Sequence, residues 1–217
     1  MKKKVLLSVI MSVVTLVVMA DEYIDPQTHV VYTYQPGQAT ASVKAGYDEV
    51  IDRGPGYESD IVYHPGSPDA AGDVAILDRF TVGAFEYVVT SIGERAFREN
   101  KNITSVSIPE TVTNIGGAAF RACNNLTSVS IPETVTNIGG SAFADCDNLT
   151  EIRLPEGLTR LTDNLFLHCR QLVSVTIPSS VSIIDRSAFC GCSSLASLEL
   201  PAGLSFVGRR AFYGTPW

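Results

Sequence analysis

The groups in this chain best suited to chemistry are three histidines, five cysteines and a run of carboxylates near residue 50. A histidine beside a thiol can turn it into a nucleophile, because the thiolate is the reactive form. His168 and Cys169 are sequence neighbours, but adjacent side chains on an extended chain point apart. His29 and His64 fall in no motif with a nucleophile. Structural zinc is held by cysteine and histidine at recurrent short spacings; Cys190 and Cys192 have the wrong spacing, and His168 belongs to another part of the pattern. No phosphate loop, dinucleotide turn or G-x-S-x-G element occurs. Segment 45–73, AGYDEVIDRGPGYESDIVYHPGSPDAAGD, offers Asp48, Glu49, Asp52, Glu58 and Asp60 as hard oxygen donors of the kind calcium takes, with Tyr47, Tyr57, Tyr63 and His64 as aromatic contacts. Their spacing matches no metal-loop template. The expectation is a long solvated loop, no metal, no cofactor and no enzyme activity.

What positions these groups is a repeat. Phe97, Phe120, Phe143, Phe166, Phe189 and Phe212 recur every 23 residues, and Pro109, Pro132, Pro155, Pro178 and Pro201 keep the same interval. The units Ile103–Asn125 and Leu126–Asn148 agree at 18 of 23 positions. A fixed period of this size predicts a solenoid, in which each unit buries its apolar face on the next. Cys123, Cys146, Cys169 and Cys192 keep the period too. In a stack they would form a column of small buried residues with parallel Cβ directions, which does not suit disulfides. Cys190 lies outside the period and is expected nearer the surface.

Within one unit, Val129 and Ile131 alternate with Ser128 and Ser130, predicting a short strand with one buried face. Pro132 ends it, since proline cannot donate to a ladder. Val135 and Ile138 continue inward at a spacing of three, Gly139 and Gly140 allow a tight turn, and Ala142, Phe143 and Cys146 return to the core. Successive strands would lie side by side as one parallel sheet, and glycine and proline recur too often for a long helix. The fold class expected is a mainly β repeat solenoid. Its N-terminal cap would be hairpin-like, from Val30–Tyr34 and Ala39–Val43 across the Pro36-Gly37 turn, with residues 74–92 strand-like.

The unit L-x-x-[VI]-x-[IL]-P-x-x-[VL]-x-x-I-G-x-x-A-F-x-x-C, carried over residues 89–217 as about five and a half copies, resembles the BspA-like leucine-rich repeat family. Departures are Asn100 in place of the first cysteine, and Thr162 and Asp185 in place of the glycine. The resemblance implies a leucine-rich-repeat stack in an exported or surface-displayed binding protein linked to adhesion. It implies no catalytic activity and no particular ligand.

Residues 1–20 read as a signal peptide: Lys2–Lys4, an apolar run, then Val18 and Ala20 at the cut. The mature chain would hold 13 basic and 23 acidic residues, a net charge of −10, which disfavours nucleic acid. Residues 21–88 would be the capping region. The expected location is secreted or cell-surface, with a periplasmic location also allowed. Sequons at Asn102, Asn125 and Asn148 follow from the repetition.

The outward strand residues form two columns: Ser105, Ser128, Glu151, Ser174, Ser197 and Ser107, Ser130, Arg153, Thr176, Glu199. In leucine-rich repeats this sheet face is the usual contact surface. Here it lacks the aromatic anchors of tight protein interfaces, so a polar extracellular protein or glycan partner is expected. The alternative is self-association through an open edge at Leu195–Leu200, unless Tyr213 and Trp217 fold over it.

Overall fold

The structure, a computed structural model, describes residues 21–27, 30–34, 40–43, 47–51, 60–64, 69–82 and 84–216. The expected leader at 1–20 lies outside these residues, as do His29, Asp52, Tyr57, Glu58 and Trp217.

The cap comes first. Strands β1 (Asp21–Ile24), β2 (Val31–Tyr34) and β3 (Thr40–Val43) run antiparallel, so the expected hairpin is present with one strand added before it. Next, β4 (Tyr47–Ile51) and β5 (Asp60–His64) pair antiparallel inside the segment expected to be a loop. The runs YDEVI and DIVYH hold β-branched and aromatic residues, which favour strands whatever surrounds them. A third departure is β6 (Gly72–Ala75), which leaves that same segment and pairs with the repeats. Then β7 (Arg79–Val82) lies antiparallel to β8 (Phe85–Ile92). Tyr23, Tyr32, Tyr34 and Tyr87 gather round Phe80 at ring distances of 4.6 to 5.7 Å. The Tyr32 hydroxyl accepts the Leu77 N–H at 2.9 Å, and burial raises its pKa above the usual phenol range.

From residue 103 the chain is a β-solenoid of about five turns. The first four turns each have a three- to five-residue strand before the proline: β9 (Ile103–Ser107), β11 (Ser128–Ser130), β13 (Glu151–Arg153) and β15 (Ser174–Thr176). Every turn has a two-residue strand after the proline: β10 (Asn114–Ile115), β12 (Asn137–Ile138), β14 (Arg160–Leu161), β16 (Ile183–Ile184) and β17 (Phe206–Val207). The expected parallel sheet therefore has a parallel companion. One ladder runs β6–β9–β11 and then β13–β15; the other runs β3–β8–β10–β12 and then β14–β16–β17. The cap joins both ladders through β3 and β6, which closes the first turn. Leu195–Leu200, expected as the last strand, forms none. It has no β-branched residue like Val129, Ile152 or Val175 in the strands before it. Tyr213 is 70 % exposed and does not cover the turn.

Two columns hold the turns together. The phenylalanine rings from Phe97 to Phe212 stack nearly parallel at 5.1 to 5.8 Å. Phe97 to Phe189 are fully buried, worth about 1.5–3 kcal/mol each in transfer alone. The four periodic cysteines are buried free thiols. Each donates to the carbonyl of the phenylalanine one turn back, Cys146 Sγ to Phe120 O at 3.1 Å and Cys169 Sγ to Phe143 O at 3.0 Å. Burial pushes their pKa values up, that of Cys192 to about 12. In the first turn Asn100 takes over: its Nδ2 donates to Ala70 O at 2.9 Å and its Oδ1 accepts the Asn102 N–H at 2.8 Å.

The glycine after the second strand opens a tight turn, with the Ala142 N–H bonding Gly139 O at 3.3 Å, and it also answers to closeness. A Cβ on Gly139 would stand 2.4 Å from Gly117 N, and one on Gly116 2.5 Å from Glu94 N. Of the two positions that are not glycine, Asp185 keeps the backbone bond and Thr162 does not. The N–H of Gly139 bonds Ile115 O, and those of Asp185 and Gly208 bond Leu161 O and Ile184 O. At Thr162 the Oγ1 hydroxyl takes the equivalent carbonyl, Ile138 O, at 3.0 Å. Both ladders are interrupted at this step, and Phe143 and Phe166 have the widest ring spacing of the stack, 5.8 Å.

Candidate binding face

Alternation builds the face. Val106, Val129, Ile152 and Val175 point into the core, so the residues on either side of each must point out. The register stacks Ser105 beside Ser128 and Glu151 beside Ser174, and likewise Ser107 beside Ser130 and Arg153 beside Thr176. Ser105 is half-buried; Ser107, Ser128, Ser130, Glu151, Arg153, Ser174 and Thr176 are exposed. Ser197 and Glu199 are exposed on the irregular segment that follows. The strand β6 extends the columns by one turn, with Asp73 beside Ser105 and Ala75 beside Ser107. Asp73 escaped the sequence reading because it closes an aperiodic acidic stretch; the short alternation Asp73–Ala75 was the available signal. Its Oδ1 accepts Ser105 Oγ at 2.7 Å and Thr104 Oγ1 at 2.9 Å. Those two bonds, Ser105 first, hold its carboxyl below the usual range.

Two open depressions lie on this face. One, of about 300 Å³, is lined by Ser128, Glu151, Arg153, Ser174 and Thr176 with the strand centres between them. The other, of about 370 Å³, is lined by Ser174, Thr176, Ser197, Leu198 and Glu199 among others. Sharing Ser174 and Thr176, they form a trough across the turns. Arg153, one of its lining residues, reaches Glu133, with Nη2 3.3 Å from Oε1. Both side chains are more than half exposed, so the pair adds little to stability. Glu133 Oε2 also accepts the Glu156 N–H at 2.8 Å. Glu151 and Glu199 have no hydrogen bond or ion pair among the described residues.

The other candidate groups are dispersed. His168 Nδ1 is 3.1 Å from Asp145 Oδ1, and Asp145 Oδ2 is 3.2 Å from Arg121 Nε, a surface chain of polar contacts with no thiol in it. Cys169 points inward instead. Cys190 is half-buried. Asp48, Glu49 and Asp60 fall on β4 and β5 with Tyr47, Tyr63 and His64. Among the described residues no group of three or more histidine, cysteine or acidic side chains is placed to hold a metal ion. Among them, too, no helix is long and apolar enough to cross a membrane.

Residues 89–216 match the BspA-type leucine-rich repeat region in six copies. Among solved structures, the chain is similar to a leucine rich cell surface protein from Faecalibacterium prausnitzii A2-165, at 28% identity and a TM-score of 0.60 over 89% of this chain and 52% of that one. A leucine-rich repeat protein from Bacteroides capillosus ATCC 29799 is 31% identical with a TM-score of 0.50, covering 66% of this chain and 91% of that one. The pneumococcal vaccine antigen PcpA shares the fold at 22% identity and a TM-score of 0.64, over 89% of this chain and 48% of that one. The chain thus spans about half the length of the first and third of these proteins. No curated protein matches it in sequence.

Proposed function

Because this chain belongs to the BspA-type leucine-rich repeat family, we propose that it is an exported, non-enzymatic binding module. It engages a protein or glycan at a cell surface through the outward face of β9, β11, β13 and β15. The observation that carries this reading is the trough, whose lining includes Glu151, Arg153, Ser174, Thr176 and Glu199. The similar protein from Faecalibacterium prausnitzii is described as a cell surface protein, which supports an extracellular setting. Small serine and threonine side chains leave a partner's backbone or hydroxyl groups room to approach, and many copies on a surface raise a weak affinity.

The test is binding of the purified protein to a panel of matrix proteins and polysaccharides, beside the double variant Glu151→Ala/Arg153→Ala. Saturable binding that the double variant loses supports the face. Binding unchanged in the variant moves the site elsewhere, and no binding at any surface density removes the reading. A second reading, self-association, has Phe206 and Val207 as its observation, 54% and 46% exposed on β17. Light scattering reads it: a dimer that Phe206→Lys dissolves supports that role, and a monomer at all concentrations removes it.

A further inference from the structure

We propose that the trough binds an extended basic peptide segment, with two cationic side chains four residues apart seated on Glu151 and Glu199. This rests on the binding reading above and names its partner. Most carboxylates on the described surface already have partners. Asp145 meets Arg121, Asp147 meets Arg170, Asp185 is gripped by Arg160, and Glu133 holds Arg153. Glu151 and Glu199 are left without any such contact among the described residues, one in each half of the trough. Among the described residues the trough has one lining cation, Arg153, which is 3.3 Å from Glu133. Its lining thus carries two unpartnered carboxylates against one cation that already has a carboxylate partner, and charge complementarity selects a basic partner over an acidic one.

Spacing selects the shape. Leu195–Leu200 forms no strand, but Ser197, Leu198 and Glu199 line one depression with Ser174–Ile177, so Glu199 lies about two turns from Glu151. With turns about 4.8 Å apart and residues about 3.3 Å along the chain, their Cα atoms are separated by about 12 Å. An extended peptide places side chains i and i+4 on one side, about 13 Å apart. A helix puts the same pair about 6 Å apart and cannot reach both. Between the two carboxylates lie Ser174, Thr176 and Ser197, small polar side chains that leave room for a peptide backbone.

The experiment is fluorescence anisotropy with labelled nine-residue peptides of glycine and serine carrying lysines at i and i+4, at i and i+2, or glutamates at i and i+4. Titrations use low and moderate salt. The expected result is binding of the i+4 lysine peptide only. It weakens about fivefold in Glu151→Gln/Glu199→Gln and with added salt, and strengthens or holds in Arg153→Ala. Equal binding of the two lysine peptides, or binding that survives the double variant, overturns the proposal. So does absence of binding by the i+4 peptide while panel ligands still require Glu151 and Arg153, a result that leaves the binding face itself standing. An unchanged thermal melt shows that the variants fold, so a loss of binding reports the site.

Discussion

The cap and the repeats reach a packed core by opposite routes. In the repeats every turn meets a copy of itself, so one residue type serves each position. Phenylalanine stacks on phenylalanine, and a thiol bonds the carbonyl one turn back. In the cap no position recurs: five aromatic side chains meet at several angles, and Tyr32 needs its own partner at Leu77. Asn100 stands at the boundary. Its place in the unit is that of a cysteine, but the turn before it offers no phenylalanine carbonyl, only Ala70 O. An amide both donates and accepts, whereas a thiol is a weak donor. The difference teaches that a repeat specifies its interior cheaply and its first turn residue by residue.

Four changes put that contrast under strain. The largest effect belongs to the middle of the stack: Phe143→Ala, fully buried between two rings, should cost about 3–5 kcal/mol in urea unfolding. A loss below about 1 kcal/mol would mean that the turns do not depend on their ring column. Asn100→Cys comes next. It restores the repeat consensus yet strips Ala70 O, Asn102 N and Ile103 N of their partner, and should cost about 1–3 kcal/mol. A neutral or stabilising result would erase the distinction between boundary and interior. Gly139→Ala drives a Cβ against Gly117 and should cost about 1–3 kcal/mol by overpacking, whereas Gly203→Ala, with open space at its Cβ, should stay within about 0.5 kcal/mol. The smallest effect is chemical. Maleimide at neutral pH should modify Cys190 well before Cys123, Cys146, Cys169 or Cys192, because buried thiols with raised pKa values supply little thiolate. Mass spectrometry of the labelled protein decides it, and early loss of Cys146 would show that the column opens.

Periodicity made the repeats legible. Phenylalanine, proline and cysteine at one interval were enough to place the strands β9, β11, β13 and β15 and their outward columns. What periodicity cannot carry was missed. The hairpin of β4 and β5 sits among glycines and prolines that read as a loop. Asp73 joins the face because β6 pairs with β9 in space, a contact across 32 residues that no local pattern encodes. The second ladder was half visible, since Val135 and Ile138 were read as inward but not as strand. Gly139 reads as a turn residue and it does open a turn, but the close approach to Gly117 leaves no separate mark in a single sequence. The pairing of Arg153 with Glu133 depends on side chains one turn apart, and so it too lay beyond the pattern.

The Thr162 step has a mechanical consequence. The steps before and after it are stitched by two ladders and the last step by β16–β17 alone; at this step neither ladder is continuous. The phenylalanine side keeps Ser141 to Asp163, Phe143 to Leu165 and Asp145 to Leu167, with the pairs Asp145–His168 and Asp147–Arg170, while the other side keeps Thr150 to Thr127, Thr162 Oγ1 to Ile138 O and the contacts of Glu133. Fewer bonds on the ladder side than on the aromatic side make this a step ready to flex, about the aromatic column as a book does about its spine. The trough spans that crease, with Ser128 on one leaf and Glu151 on the other, so flexing the rod would change the shape of the surface offered to a partner.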